Sequence, residues 1–127
     1  MKHELPESDW KIFRQLRLVA LERFCKRVLD EVPRFSLDTE RSYHQRYLGL
    51  FRWLGDRNDE LAKAFDDPRR SQMLWQLAAI CAYGLLTPDE LARFTPHTRE
   101  RIQHLAQGGT MVSEPPNKRM NQSKRKS

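Results

Sequence analysis

A chain of 127 residues with 39% hydrophobic content supports one domain around a single core, and nowhere does apolar/polar alternation last for a strand's length, so an all-α class is expected. The net charge of +6 invites a nucleic-acid reading, yet residues 108–127 hold five basic groups against Glu114, leaving 18 basic and 16 acidic groups on the first 107 residues. Composition therefore disfavours a basic nucleic-acid-binding body, and the lack of a run of about 20 apolar residues disfavours a membrane protein.

The opening Met1-Lys2-His3-Glu4-Leu5-Pro6 has no apolar run behind it, so neither a secretory signal nor an anchor is expected, and the cytoplasm is the default. Ser8 is expected to cap a first helix that runs toward Glu31 and is ended by Pro33. Leu18, Leu21, Cys25, Val28 and Val32 recur by three and four, with Phe13, Leu16, Ala20 and Phe24 as an adjoining stripe. Two stripes imply two packing partners. Arg14 and Arg17 interrupt this arc. Either their stems lie along apolar surface with the heads on water or a carboxylate, or they form an anion- or partner-binding spot beside Trp10.

Residues 33–41 connect to a second helix capped by Ser42, with Gln45 completing a capping box. Its expected inward face is Tyr43, Tyr47, Leu50, Leu54, Leu61 and Phe65. Gly49 and Gly55 each cost about 1 kcal/mol relative to alanine, which is tolerated where another backbone approaches or the helix bends, so a kink near Gly55 is expected. Trp53 lies off that face, on a ridge with Arg46 and Arg57. Exposed, it would be a hot spot for a protein partner or a stacking base; otherwise it packs on the first helix over Gly49.

Residues 67–85 read as the central helix. Asp67 is the expected N-cap, Pro68 the first helical residue and Gly84 the left-handed stop. Only Arg69, Gln72, Gln76, Ala79 and Tyr83 form a wetter stripe, so the rest of the circumference should be surrounded by other helices. Asp66-Asp67 before Arg69-Arg70 offers local pairing or, through Arg69 and Arg70, contact with a bound anion. Thr87, Pro88 and Glu90 then specify a short helix ending near Phe94. Thr95-Pro96 starts the last helix, which turns Ile102 and Leu105 inward and stops at Gly108-Gly109. The expected organisation is about five helices around a buried helix over 68–83, a domain over 1–107 and a disordered basic tail over 108–127.

Chemistry-bearing patterns are sparse. Cys25 and Cys81 are expected as free thiols, with a bridge possible if their Cβ atoms face each other. His97 and His104 lie about 10 Å apart along a helix, too far for both to reach one zinc at about 2 Å, so no metal is expected. The Gly84 turn between helices suggests a helix-turn-helix reader using residues 96–104, against which stands the near-neutral body. With no glycine-rich phosphate loop and no paired catalytic groups at recognisable spacing, no cofactor and no catalytic residue are expected.

Glu7-Ser8-Asp9-Trp10, Leu21-Glu22-Arg23-Phe24-Cys25, the run from Phe65 to Ser71 and the run from Gly84 to Leu91 together resemble a group of small bacterial helical proteins of unknown activity. That resemblance covers roughly residues 7–105 and implies a bacterial, cytoplasmic, all-helical protein, with no catalytic residue carried over. Pro116-Asn117-Lys118-Arg119 resembles read-through into the recombination site that ends an integron gene cassette, which implies an accessory gene and a tail not selected to fold. The expected function is a protein-interaction or regulatory module, binding an unknown protein or a second copy through Trp53, Arg46 and Arg57 or through Trp10, Arg14 and Arg17. The alternative is a nucleic-acid binder using surface arginines and the tail.

Overall fold

The structure, a computed structural model, describes residues 5–108. The tail expected to be disordered therefore lies, from residue 109, outside the described residues. The first element is α1 (Glu7–Ser36), opened by the Pro6 carbonyl, which accepts from the N–H groups of Asp9 at 3.0 Å and Trp10 at 3.1 Å. Ser8 is not its cap. Nor does Pro33 end it: the N–H that Pro33 lacks costs one hydrogen bond near the helix end, and continuing to Ser36 brings Phe35 within 5.2 Å of the Trp53 ring.

After a short connection, α2 (Tyr43–Phe65) returns antiparallel to α1, as shown by Phe35 meeting Trp53 near one end and Phe24 meeting Phe65 at 6.0 Å near the other. Its capping box forms as expected, with Gln45 N–H on Ser42 Oγ at 3.1 Å and Ser42 N–H on Gln45 Oε1 at 2.9 Å. Of the expected inward face Phe65 is buried and Leu50, Leu54 and Leu61 are half-buried, and of the two readings of Trp53 the one that packs it on the first helix holds. Trp53 turns toward α1, the Phe35 ring fills the notch over Gly49, and Tyr43 and Tyr47 come out to solvent. The exposure of the two tyrosines follows from size: Gly49 leaves room on the other side that the Phe35 ring occupies.

The central helix is shorter than expected. Asp67 does not cap it but adopts a left-handed conformation (φ 51°), and a 3-10 turn (Arg70–Gln72) intervenes before α3 (Met73–Ala82). Two long side chains account for the corner. Arg17 donates to Phe65 O at 2.6 Å and Gln76 to Asp66 O at 2.7 Å, so the chain leaves α2 through two anchored carbonyls and must turn sharply. Arg17 Nε and Gln76 Oε1 are buried there without a hydrogen-bond partner among the described residues. Gln76, expected on the wet stripe, is thus buried, while Trp75 is exposed. α3 is covered by α1, α2 and α5 but remains open along Gln72, Trp75 and Ala82.

Gly84 (φ 69°) ends α3 as expected: Gly84 N–H reaches Cys81 O at 2.9 Å and Leu85 N–H reaches Ile80 O at 3.1 Å. Arg27 of α1 donates to the carbonyls of Tyr83 and Gly84, and Arg23 to that of Leu85, placing cations at the negative end of the helix. The Thr87 capping box opens α4 (Pro88–Leu91), and α5 (Pro96–Gly108) packs back on α3. Arg23 also forms a two-bond ion pair with Glu90, whose carboxyl is held down at about 2, chiefly by that hydrogen bond and then by the Thr87 N–H.

The core joins Phe13, Leu16, Ala20 and Phe24 of α1 to Ala64 and Phe65 of α2, Met73, Leu77 and Ile80 of α3, and Leu85, Phe94 and Ile102 beyond. All of it lies at one end of the α1–α2 hairpin. From residue 25 to residue 63 no side chain is fully buried, so the far end of the hairpin projects as an arm. Among the described residues there is no strand, and no helix is long and apolar enough to cross a membrane.

Candidate functional site

The sequence-derived candidates separate in space. Trp53 is half-buried between Phe35 and two guanidinium groups, Arg34 at 5.7 Å and Arg57 at 5.4 Å from its ring, while Arg57 also pairs with Glu60 through two hydrogen bonds. Arg46 lies at the arm tip, over Tyr43 and donating to the carbonyls of Arg41 and Ser36. Trp53 and Arg57 line one shallow hollow with Tyr83, and Arg46 lines another. Of the second set, Arg14 is exposed and Arg17 is tied to the end of α2, away from Trp10's other neighbours. Arg69 pairs with Asp67, lowering that carboxyl, and Arg70 pairs with Glu7.

Arg70 and Trp10, drawn from different candidate sets, do meet. The guanidinium of Arg70 sits 5.7 Å from the Trp10 ring centre, and Trp10 stacks on Phe13 behind it at 5.7 Å. Trp75 on the open edge of α3 and Arg101 on α5 complete a cleft of about 440 Å³, floored by Met73 and Leu74. That volume falls within the usual range for small-ligand and side-chain pockets.

One buried carboxylate holds the walls together. Asp9 has no exposed surface; its Oδ1 accepts the Thr95 N–H at 3.1 Å, and its Oδ2 accepts the hydroxyls of Thr95 at 2.8 Å and Thr98 at 2.6 Å. This ties the first turn of α1, carrying Trp10, to the start of α5, carrying Arg101. The negative charge sits where both helix starts present positive dipole ends. Nothing in the sequence pairs residues 9 and 95. An acid in the first turn of a helix reads as an ordinary dipole partner, and its burial is invisible until the helices are docked.

The cleft is lined by two indole rings, by Met73 and Leu74 and by two arginines. Arg70 pairs with Glu7, whereas Arg101 has no ion pair among the described residues. This combination stacks rings, buries apolar side chains and holds one carboxylate or phosphate. The ionisable groups with shifted pKa values lie elsewhere: Glu90 and Arg23 in the clasp, Asp67 and Arg69 at the corner, and Tyr83 and Cys81 at the end of α3. Burial pushes the Cys81 thiol up to about 11, the direction of an unreactive cysteine, and both cysteines are free. No group of three His, Cys, Asp or Glu side chains among the described residues could hold a metal ion.

A second hollow of about 530 Å³ runs beside α5, lined by Pro96, His97, Arg99 and Glu100, but Arg99 is engaged with Phe94 O and no Phe, Tyr or Trp among the described residues lines the space. Residues 96–104, the helix-turn-helix candidate, use Thr98 and Ile102 for packing and leave His97, Arg99, Glu100, Gln103 and His104 exposed, a mixed-charge surface. Comparison with models of known protein families, with curated proteins and with solved structures returns no match.

Proposed function

We propose that the protein is a helical interaction module that binds a segment of another protein in the cleft between Trp10, Trp75, Arg70 and Arg101. The observation that supports this most directly is the pair of tryptophans lining one cleft with Met73, Leu74 and a guanidinium that has no ion pair among the described residues, since Trp and Arg dominate the energetics of protein–protein contacts. The recognised segment would place an apolar or aromatic side chain between the indoles and a carboxylate on Arg101. A bacterial, cytoplasmic, accessory-gene origin belongs to the same proposal, with Pro116-Asn117-Lys118-Arg119 as its support; the DNA following the gene's stop codon tests it.

Selection from a random peptide library, followed by titration of the enriched peptides, tests the cleft. The expected sequences combine an apolar anchor with an acidic residue, and Trp75→Ala and Arg101→Ala should each weaken binding about tenfold or more while circular dichroism stays unchanged. Peptides that bind both variants as well as the parent protein, or no enrichment at all, would discard the reading. Oligonucleotide binding that falls steeply with salt and is lost in Arg101→Ala would assign the cleft to nucleic acid instead.

A further inference from the structure

On α2, His44, Leu48, Phe51, Gly55, Asn58 and Ala62 follow one another by four and three, the spacing of a helix–helix seam. The seven charged residues of the helix, from Arg46 to Lys63, all fall off this line. Among the described residues His44, Phe51, Gly55 and Asn58 of the seam are exposed, and Leu48 and Ala62 are half-buried. Phe51 is 64% exposed, and Tyr43 and Tyr47 beside it are 84% and 62% exposed. The body lies on the other side of the hairpin: Tyr83 of α3 approaches α2 next to Arg57 and Glu60, and α1 meets the body through Phe13, Leu16, Ala20 and Phe24. Leu18 and Leu29, three turns apart on the opposite side of α1, are exposed as well.

Gly55 sharpens the point. The two glycines of α2 each weaken the helix by about 1 kcal/mol relative to alanine, yet only Gly49 has a reason within the described chain. A Cβ at Gly49 would lie 3.3 Å from the Phe35 ring, whereas one at Gly55 would meet nothing within 4 Å.

We infer that two copies of the protein associate through α2, antiparallel about a two-fold axis, so that the bulky first half of each seam covers the small second half of the other. A single register sets Phe51 over Gly55 of the partner subunit, Leu48 beside Asn58 of the partner subunit and His44 over Ala62 of the partner subunit. The charges agree with that direction. Arg52 flanks the first half and Asp56 and Asp59 the second, with Lys63 at its far end, so antiparallel copies set Arg52 beside Asp56 of the partner subunit, while Arg46, Arg57 and Glu60 lie on the opposite face of α2. A parallel pair would set ring on ring and acid beside acid.

The area is of the right size. At about 200 Å² per aromatic side chain, Tyr43, Tyr47 and Phe51 alone expose about 400 Å², within the range of the largest apolar patch on a typical monomer. That is about half of the ~800 Å² per partner of a standard interface, to which His44, Leu48, Gly55, Asn58 and Ala62 of the seam add. The contact is independent of the Trp75 cleft.

Light scattering and sedimentation across a concentration series test the inference on the full chain. A dimer is expected, and Phe51→Glu should weaken association about thirtyfold or more. Gly55→Leu should also give monomers, and these should melt no lower than the dissociated parent protein, because Gly55 is exposed and a Cβ there meets nothing within 4 Å among the described residues. Trp75→Ala should leave the dimer intact. A parent protein that stays monomeric at millimolar concentration, a dimer indifferent to both α2 substitutions, or a dimer lost in Trp75→Ala would each overturn it.

Discussion

A carboxylate without exposed surface is tolerable only when its oxygens are occupied, and Asp9 meets that condition through three donors from Thr95 and Thr98. Asp9→Ala strands those donors, so a loss of about 3 kcal/mol is expected, read from the urea midpoint, with a smaller loss for Asp9→Asn. Glu90 sets the acid side of the stability profile. Its folded-state pKa of about 2 lies below the ordinary 4.5, so the charged form stabilises the fold fully above 4.5, and that contribution fades as pH falls toward 2. Arg23→Gln removes the main cause of the shift. It should flatten the acid limb of the melting temperature between those values and cost about 1–3 kcal/mol at neutral pH. The Asp9 network and the Arg23 clasp both join residues more than sixty positions apart, which is why neither was legible as a pair in the sequence.

At the scale of the helix, one residue type plays opposite parts. Gly84 sits at φ 69° to end α3, and Gly84→Ala should lower stability by about 1–2 kcal/mol, since a Cβ is disfavoured there whatever the space around it. Gly55→Ala, in ordinary helical geometry with nothing near its Cβ, should raise the stability of the isolated subunit by about 1 kcal/mol in the same denaturation assay. Local signals were reliable where all partners lay within four or five residues: the Ser42 and Thr87 capping boxes and the Gly84 stop formed as read. They failed where a distant side chain intervened. Phe35 carried α1 past Pro33 to reach Trp53, and Arg17 and Gln76 pinned the carbonyls that turn Asp67 into a corner rather than a cap.

Over the whole molecule, burial is uneven. Leu77 lies in the body with no exposed surface, and Leu77→Ala should cost about 2–5 kcal/mol. Leu37 at the arm tip is largely exposed, and Leu37→Ser should change stability by less than about 0.5 kcal/mol in the same urea titration. The contrast follows from the layering: α3, α4 and α5 cover one side and one end of the hairpin, leaving the arm and its outer face uncovered. The two stripes read on α1 implied two packing partners, and only one stripe found a full one. The one through Phe13 and Phe24 became core, and the one through Leu18, Cys25 and Val32 stayed half-buried or exposed.

Period, caps and composition were enough to establish an all-α chain, the number of its helices and most of their starts, because those depend on residues within a turn of one another. Which face each helix turned inward was decided only by docking. The wet stripe of α3 moved by one residue, burying Gln76 and releasing Trp75, and α2 kept Leu61 and Phe65 inward but let Tyr43 and Tyr47 out to solvent while Trp53 settled on Phe35. A helix with apolar residues over most of its circumference has several nearly equivalent ways to pack. The choice among them rests on volumes and hydrogen-bond partners contributed by other helices, and the meeting of Trp10, Arg70, Trp75 and Arg101 in one cleft is a product of that choice.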